Sequence, residues 1–177
     1  MSNISRSSAL GVASALAFAA PVLFDVVRAA GKIDQADVKL LNSAISLERA
    51  AVKAYADAQA LNVLSPTVLA VSKGFMADHQ AHLDALVAAV TQGGGTPSAD
   101  LATVPSDTLR TEADILNFIY TVERLAANTY LTSVAQFKNR DFATTAAAIL
   151  GVDATHVALL AEALRKNPAY PSSFVTA

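Results

Sequence analysis

Residues 47–55 read LERAAVKAY and residues 122–130 read VERLAANTY, so one pattern occurs twice in this chain. Each copy has a Glu-Arg pair near its start and a tyrosine seven positions after the glutamate. The surrounding apolar residues recur at intervals of three and four, which is typical of an amphipathic helix. Both Glu48 and Glu123 occupy positions that this period assigns to the buried face. The repeat therefore predicts two similar helices, each with a carboxylate in its core-facing stripe.

A second motif is repeated at almost the same interval. His79 and His82 lie 74 residues before Asp153 and His156, and these three histidines are all that the chain contains. Residues three apart share one helix face, so each pair can act as a unit. The chain is thus predicted to be two related halves, each with an ionisable pair on its second helix.

Local capping signals divide the sequence into four helices. Asp34 is a suitable N-cap, Ser65-Pro66 places proline at the first helical position, and Thr111 with Asp114 resembles a capping box. The triple glycine 93–95 and the prolines after Lys166 are stop signals. The predicted helices span approximately residues 34–61, 66–93, 111–137 and 141–166.

The connections between these helices determine the architecture. Two short links produce two antiparallel hairpins, whereas residues 93–110, with Pro97 and Pro105, are long enough to run the length of a bundle. No period-two pattern indicates a strand. The fold class is therefore predicted as all-α, a four-helix bundle of two hairpins joined by a long crossover.

The ionisable residues on the four stripes would meet at one level of such a bundle. At about 1.5 Å per residue, both glutamates lie near the middle of their helices, as do the paired positions on the other two. Buried ionised groups need partners because desolvation costs several kcal/mol per ion. Three carboxylates and three imidazoles at one level predict a bound cation. The six predicted metal ligands are Glu48, His79, His82, Glu123, Asp153 and His156.

This pattern resembles the ferritin-like superfamily of di-metal carboxylate proteins, and within it the ferritin-like proteins related to desiccation-associated proteins. The resemblance covers about residues 34–174 and includes the two Glu-Arg motifs, residues 151–156 (GVDATH) and the tail 167–174 (NPAYPSSF). It implies a ferritin-like bundle with one Glu from each of two helices and Glu-x-x-His from each of the others. Glu48, Glu123, His82 and His156 match that pattern.

Two positions depart from the family pattern. Asp153 stands where the pattern has Glu, which shortens the reach by one methylene, and His79 stands where the other Glu belongs, which removes a bridging anion. One metal, a looser metal pair, or a preference for Zn or Mn over Fe all remain open, since imidazole suits Zn and Fe while carboxylate suits Mn. Iron is the metal that the resemblance favours.

The same residues have alternative roles that need no metal. Arg49 and Arg124 are sequence neighbours of the glutamates but point about 100° away on a helix, which disfavours a buried ion pair. His79 could instead hydrogen-bond a carboxylate in the core. Asp78 falls off the stripe and is predicted to be solvated, with a substitute metal ligand as the alternative. The tyrosines one heptad after the glutamates could donate to them, although core packing is the favoured role. These tyrosines are Tyr55 and Tyr130.

Composition limits the function classes. The chain has 177 residues, 53% of them hydrophobic, which suits one full-sized domain, predicted over residues 31–177. A net charge of −2 without a basic cluster disfavours nucleic acid as a partner. The absence of cysteine removes disulfides and thiolate chemistry.

Residues 1–30 form a separate apolar segment without a charge between Ser7 and Phe24. With Arg6 before it and Ala17-Phe18-Ala19 as a small-x-small site, it indicates an export signal and a periplasmic or extracellular protein. The alternatives are a retained helix that packs on the domain or a neighbour, in a cytoplasmic protein, and a membrane anchor. Pro21 and Asp25 come early for a stable membrane span.

The leading functional hypothesis is a metal-binding protein, assembled as a homo-oligomer, whose iron or manganese centre reacts with oxygen or peroxide. The family resemblance implies iron oxidation or detoxification linked to stress or desiccation. A second hypothesis is a structural or self-assembling cell-envelope protein that keeps the fold without redox activity. A third, between the two, is a site that only binds and buffers metal.

Overall fold

The computed structural model describes residues 33–104 and 109–166, and in those ranges the chain is all-α, without strands. The predicted four helices are confirmed, with the third and fourth ending three residues before their predicted limits. The apolar segment 1–30 and the tail motif 167–174 lie outside the described residues. The helices are α1 (Gln35–Ala60), α2 (Pro66–Gln92), α3 (Glu112–Val134) and α4 (Arg140–Ala163).

The helix starts follow the predicted capping chemistry. The Asp34 carboxylate accepts from the Ala36 N–H at 2.8 Å at the start of α1. Thr111 and Asp114 form a reciprocal capping box at the start of α3. These side chains satisfy backbone N–H groups that have no partner inside the helix, and each such cap stabilises a protein by roughly 1 kcal/mol.

Helices α1 and α2 form one antiparallel hairpin, and α3 and α4 form the other. Apolar residues pack in two main clusters, one at each end of the bundle. The first cluster includes Leu41, Ile45, Leu86, Val90, Phe142 and Ile149. The second includes Tyr55, Ala58, Phe75, Ile115, Ile119 and Leu160. The polar residues of the stripes lie between these clusters, which places them in the middle of the bundle.

The crossover begins with a close backbone approach. A Cβ on Gly93 would lie 2.7 Å from the Cβ of Ile33, and Gly94 has a φ of 75°, so both positions favour glycine. The chain then runs along α1, where the Ala102 N–H donates to the Ser46 carbonyl at 2.9 Å. Val104 packs between the two hairpins, against Val122 and the alanines of α1. The long connection is thus a packed part of the bundle.

Asp37 links the start of α1 to the turn between α3 and α4. Its side chain is 1% exposed, and its two carboxylate oxygens accept from the backbone N–H groups of Lys138 and Asn139 at 2.8 and 3.0 Å. The position lies one turn before Leu41 on the same stripe, a buried acidic residue that the sequence analysis did not single out. It fixes the first helix of one hairpin against the other hairpin.

Among the described helices, only α4 is long and apolar enough to pass a length and composition test for a membrane span. A core helix of a soluble protein passes the same test. Asp153 and His156 of this helix are buried in the bundle. The expectation of no stable membrane span therefore stays a prediction.

Candidate metal centre

The structure brings all six predicted ligands together in one buried layer. Each is between 0% and 3% exposed. The layer lies between the two apolar clusters, so water is excluded from above and below. Each helix contributes at least one residue: Glu48 from α1, His79 and His82 from α2, Glu123 from α3, and Asp153 and His156 from α4.

His79 lies between the two glutamates. Its Nδ1 is 2.7 Å from Oε2 of Glu48, and its Nε2 is 2.9 Å from Oε1 of Glu123. Burial would lower the pKa of His79, but the two carboxylates raise it well above its ordinary value. Burial would likewise raise the pKa of Glu48, yet the charge of His79 and its hydrogen bond bring that pKa down to about 2. Both ring nitrogens of His79 therefore face a carboxylate oxygen, which is the arrangement that favours the protonated imidazole.

The two repeated tyrosines donate to these glutamates across the bundle. The Tyr130 hydroxyl donates to Oε1 of Glu48 at 2.5 Å, and the Tyr55 hydroxyl donates to Oε1 of Glu123. Burial and then the neighbouring carboxylates raise the pKa of both phenols well above the ordinary value, so both stay protonated. Core packing was the favoured role for these residues in the sequence analysis, and the structure shows that donation to the glutamates accompanies it.

His156 has a partner at each ring nitrogen and an aromatic ring stacked on one face. Its Nδ1 lies 3.2 Å from Oε2 of Glu123, and its Nε2 lies 3.2 Å from Oδ2 of Asp78. The Phe75 ring stacks on it with centroids 3.8 Å apart. Burial lowers the pKa of His156, whereas its hydrogen bonds to Asp78 and Glu123 raise it, and the net shift is upward.

The Asp78 side chain is 41% exposed, as its position off the stripe predicts, and its carboxylate also contacts the outer nitrogen of His156. Sequence reasoning missed this role because the equivalent position in the second half is Val152, so the internal repeat gives no signal for it.

Arg49, the arginine beside Glu48, points away from it, as predicted, and its Nε donates to the Ser98 carbonyl of the crossover at 3.2 Å.

Three buried polar atoms have no hydrogen-bond partner among the described residues: Nδ1 of His82 and both carboxylate oxygens of Asp153. The nearest groups to His82 Nδ1 are Oε1 of Glu48 at 3.6 Å and Oδ1 of Asp153 at 3.9 Å, too far for hydrogen bonds. Burial and the charge of Glu48 raise the pKa of Asp153 well above its ordinary value. Unsatisfied buried groups of this kind are rare in native proteins and call for an explanation.

These donor atoms fit a metal ion. His79, Glu123, Asp153 and His156 each offer one ligand atom within 4.8 Å of the others, and Glu48, His79 and His82 form a second such group. Carboxylate oxygen and imidazole nitrogen are the donors that Fe, Mn and Zn accept in proteins. A cation would also satisfy the unpaired carboxylate of Asp153.

Comparison with known proteins agrees with this fold. A family model described as the ferritin-like domain matches residues 36–166. The chain belongs to the ferritin-like domain family. A search of curated protein sequences gives no significant match.

Solved structures of ferritin-like proteins share the bundle. A conserved hypothetical protein of Mycobacterium tuberculosis has a TM-score of 0.67 at 19% identity, covering 78% of this chain and 94% of that one. A ferritin-like, diiron-carboxylate protein of Bacillus anthracis has a TM-score of 0.61 at 17% identity, covering 72% and 94%. A dodecameric thioferritin, the bacterioferritin-related protein of Bacteroides fragilis, has a TM-score of 0.64 at 20% identity, covering 81% and 92%. At these identities the likeness shows the fold of this ferritin-like chain.

Proposed function

We propose that this ferritin-like protein binds a transition-metal ion in the polar layer at mid-bundle. The observation that carries the proposal is the Asp153 carboxylate, which is fully buried, lacks a hydrogen-bond partner among the described residues and lies in one cluster with Glu123 and His156. Leaving such a group unpaired is costly, and a metal ligand site accounts for its presence.

Iron is the proposed metal, with manganese and zinc as alternatives. The donor set combines carboxylates and imidazoles, and one structural neighbour is described as a diiron-carboxylate protein. When bound, a ferrous or manganous ion would supply one-electron chemistry toward oxygen or peroxide, in a proposed role of iron oxidation or protection against oxidative stress.

The residues around the ion have separable tasks in this proposal. Glu123 and Asp153 neutralise its charge, and His156 completes the donor set with nitrogen. The Tyr55 hydroxyl fixes the orientation of the Glu123 carboxylate. The apolar clusters on both sides exclude water, which strengthens each electrostatic contact inside the layer.

Elemental analysis tests the proposal directly. Purified protein is reconstituted without oxygen with Fe²⁺, Mn²⁺ or Zn²⁺, desalted, and its metal content measured beside Glu48→Ala/Glu123→Ala. The exposed Asp84 offers a matched control, because Asp84→Ala removes a carboxylate of α2 whose side-chain hydrogen bond among the described residues is to the exposed Gln80. Since the double variant removes both partners of buried His79, Asp153→Asn serves as a second variant.

Stoichiometric Fe or Mn in wild type and Asp84→Ala, absent from the layer variants, would support the proposal. Turnover of Fe²⁺ with oxygen or peroxide would then support the redox role. Stoichiometric Zn alone would support a metal site without redox chemistry. Wild-type protein that stays metal-free after reconstitution would contradict the proposal.

A second candidate is a structural, self-assembling protein that keeps the bundle without a metal. The observation in its favour is His79, whose two ring nitrogens lie 2.7 and 2.9 Å from the two glutamates and, when the ring is protonated, partly neutralise the layer without a metal. One structural neighbour is a dodecamer, and a homo-oligomer is proposed here on either reading. A stable oligomer by light scattering in protein that takes up no metal would favour this candidate.

A further inference from the structure

The two halves of the layer hold their repeated histidines differently. His82 and His156 occupy equivalent positions, 74 residues apart. His156 is fixed by a carboxylate at each ring nitrogen and by an aromatic ring on its face. Nδ1 of His82 faces the layer without a hydrogen-bond partner among the described residues, and no described carboxylate lies within 4.0 Å of its outer nitrogen, Nε2.

The sequence explains this difference. Both groups that hold the outer part of His156 come from α2, namely Phe75 and Asp78. Their equivalents, 74 residues later on α4, are Ile149 and Val152. Neither aliphatic side chain can accept a hydrogen bond or present an aromatic face, so the second half has lost both means of holding a histidine.

The contact between Asp78 and His156 sets which ring nitrogen faces the layer. Nε2 points outward to Asp78, and Nδ1 points inward to Glu123. A histidine ligand whose other nitrogen donates to a carboxylate is fixed in tautomer and orientation and becomes a stronger donor. A preorganised ligand also loses less conformational freedom when it binds.

We propose that Asp78 is a positioning residue that makes the His156 side of the layer the first subsite to take up a divalent metal, ahead of the His82 side. This inference rests on the proposed function, since it requires that the layer binds metal. The first ion is held by Glu123, Asp153 and His156. The His82 side, which lacks the equivalent carboxylate, binds more weakly or not at all.

Titration with Co²⁺ and Zn²⁺ under anaerobic conditions tests this order. Asp78→Ala is expected to weaken binding of the first ion by about 10- to 100-fold. Asp78→Asn keeps a hydrogen-bond acceptor and is expected to fall between Asp78→Ala and wild type. Asp84→Ala removes the same charge from the same helix and should leave the affinity unchanged.

A spectroscopic readout separates positioning from a general loss of structure. In the Zn²⁺-loaded protein, ¹⁵N-resolved spectra of the imidazoles should show His156 protonated at Nε2 and bound through Nδ1. Asp78→Ala should shift the Nε2 resonance of His156, because the hydrogen bond at that nitrogen is lost, while the helical circular dichroism stays the same. An unchanged His156 spectrum in Asp78→Ala would overturn the proposal.

Val152→Asp provides the reciprocal test, because it restores at the repeated position the carboxylate that His82 lacks. It is expected to tighten the weaker metal subsite or to raise the metal stoichiometry. Unchanged metal binding in Val152→Asp would contradict the role given to the missing carboxylate.

The outcomes distinguish the two proposals. If wild-type protein binds neither Co²⁺ nor Zn²⁺, the proposed function fails. If wild-type protein binds metal and Asp78→Ala binds it equally tightly, the proposed function stands and the positioning role of Asp78 is wrong.

Discussion

The hairpin α1–α2 and the hairpin α3–α4 carry the same repeated motifs, and they differ at the first residue of the ionisable pair on the second helix. Both keep a buried glutamate and a tyrosine that donates across the bundle. Where the first hairpin has His79, the second has Asp153. His79 makes two hydrogen bonds to carboxylates, and Asp153 makes none with the described residues. The comparison separates a residue with two partners inside the layer from one whose burial the proposed metal would explain.

Leucine at each of the two positions in turn is expected to give the largest difference in stability between the hairpins. In metal-free protein, His79→Leu leaves two buried carboxylates without a counter-charge and is expected to lower the free energy of unfolding by about 3 kcal/mol or more. Asp153→Leu removes an unsatisfied carboxylate and is expected to raise it by about 1 kcal/mol. Urea denaturation in the presence of a chelator measures both.

In the presence of metal, Asp153→Leu should no longer be more stable than wild-type protein. Asp153→Leu is expected to lose the stabilisation that added metal gives to wild-type protein, because binding to the folded state raises stability by mass action. Equal losses for both leucine variants in metal-free protein would show that the two hairpins do not differ in this way.

The pH dependence of stability in the metal-free protein tests whether His79 pairs with the glutamates. Glu48, with a pKa lowered from 4.5 to about 2, stabilises the fold fully above pH 4.5 and loses that contribution as pH falls toward 2. His79, with a pKa raised above 6.5, contributes fully below pH 6.5 and loses its contribution as pH rises through the folded-state value.

The difference in Tm between wild type and His79→Leu is therefore expected to be largest between about pH 4.5 and 6.5. Thermal denaturation across a pH series, with a chelator present, measures it. A difference that stays constant from pH 4 to pH 9 would contradict the ion pairing of His79 with the glutamates.

The tyrosines should behave alike in the two halves. Tyr55→Phe and Tyr130→Phe each remove one buried hydrogen bond to a carboxylate and are each expected to cost about 2 kcal/mol. Chemical denaturation of the two single variants tests this equality. A loss of stability in only one of the two variants would show that the environments of the two glutamates also differ between the halves.

The smallest expected difference concerns the repeated arginines. Arg49 donates to the Ser98 carbonyl of the crossover, whereas Arg124 lies exposed near the Tyr120 ring, with its Cζ 5.8 Å from the centroid. Arg49→Ala is expected to cost about 1 kcal/mol and Arg124→Ala about 0.5 kcal/mol. Thermal shifts of the two variants provide the comparison, and equal shifts would mean that the crossover contact adds nothing.

The helices were predictable from the sequence because their signals are local. Asp34, Pro66 and the Thr111–Asp114 pair act within one turn of chain, and the apolar period marks the buried faces. The convergence of the six polar residues was also predictable, since equal positions along antiparallel helices meet at one level.

The contacts within the layer depend on how the helices are rotated and shifted against each other. Sequence spacing does not determine that Tyr55 reaches the glutamate of the other half or that Asp78 reaches α4. The buried Asp37 was a missed signal of a different kind, because its place one turn before Leu41 on the stripe already indicated burial.

Each of the two tyrosine hydroxyls donates to the glutamate of the other hairpin, and this reciprocal bonding affects how the molecule folds. Tyr55 belongs to one hairpin and satisfies the glutamate of the other, and Tyr130 does the reverse. Neither hairpin alone can therefore assemble its own polar interior, even though the sequence repeat makes each resemble a complete unit. We therefore expect the two halves to unfold as one cooperative unit, because separating the hairpins would break both buried hydrogen bonds.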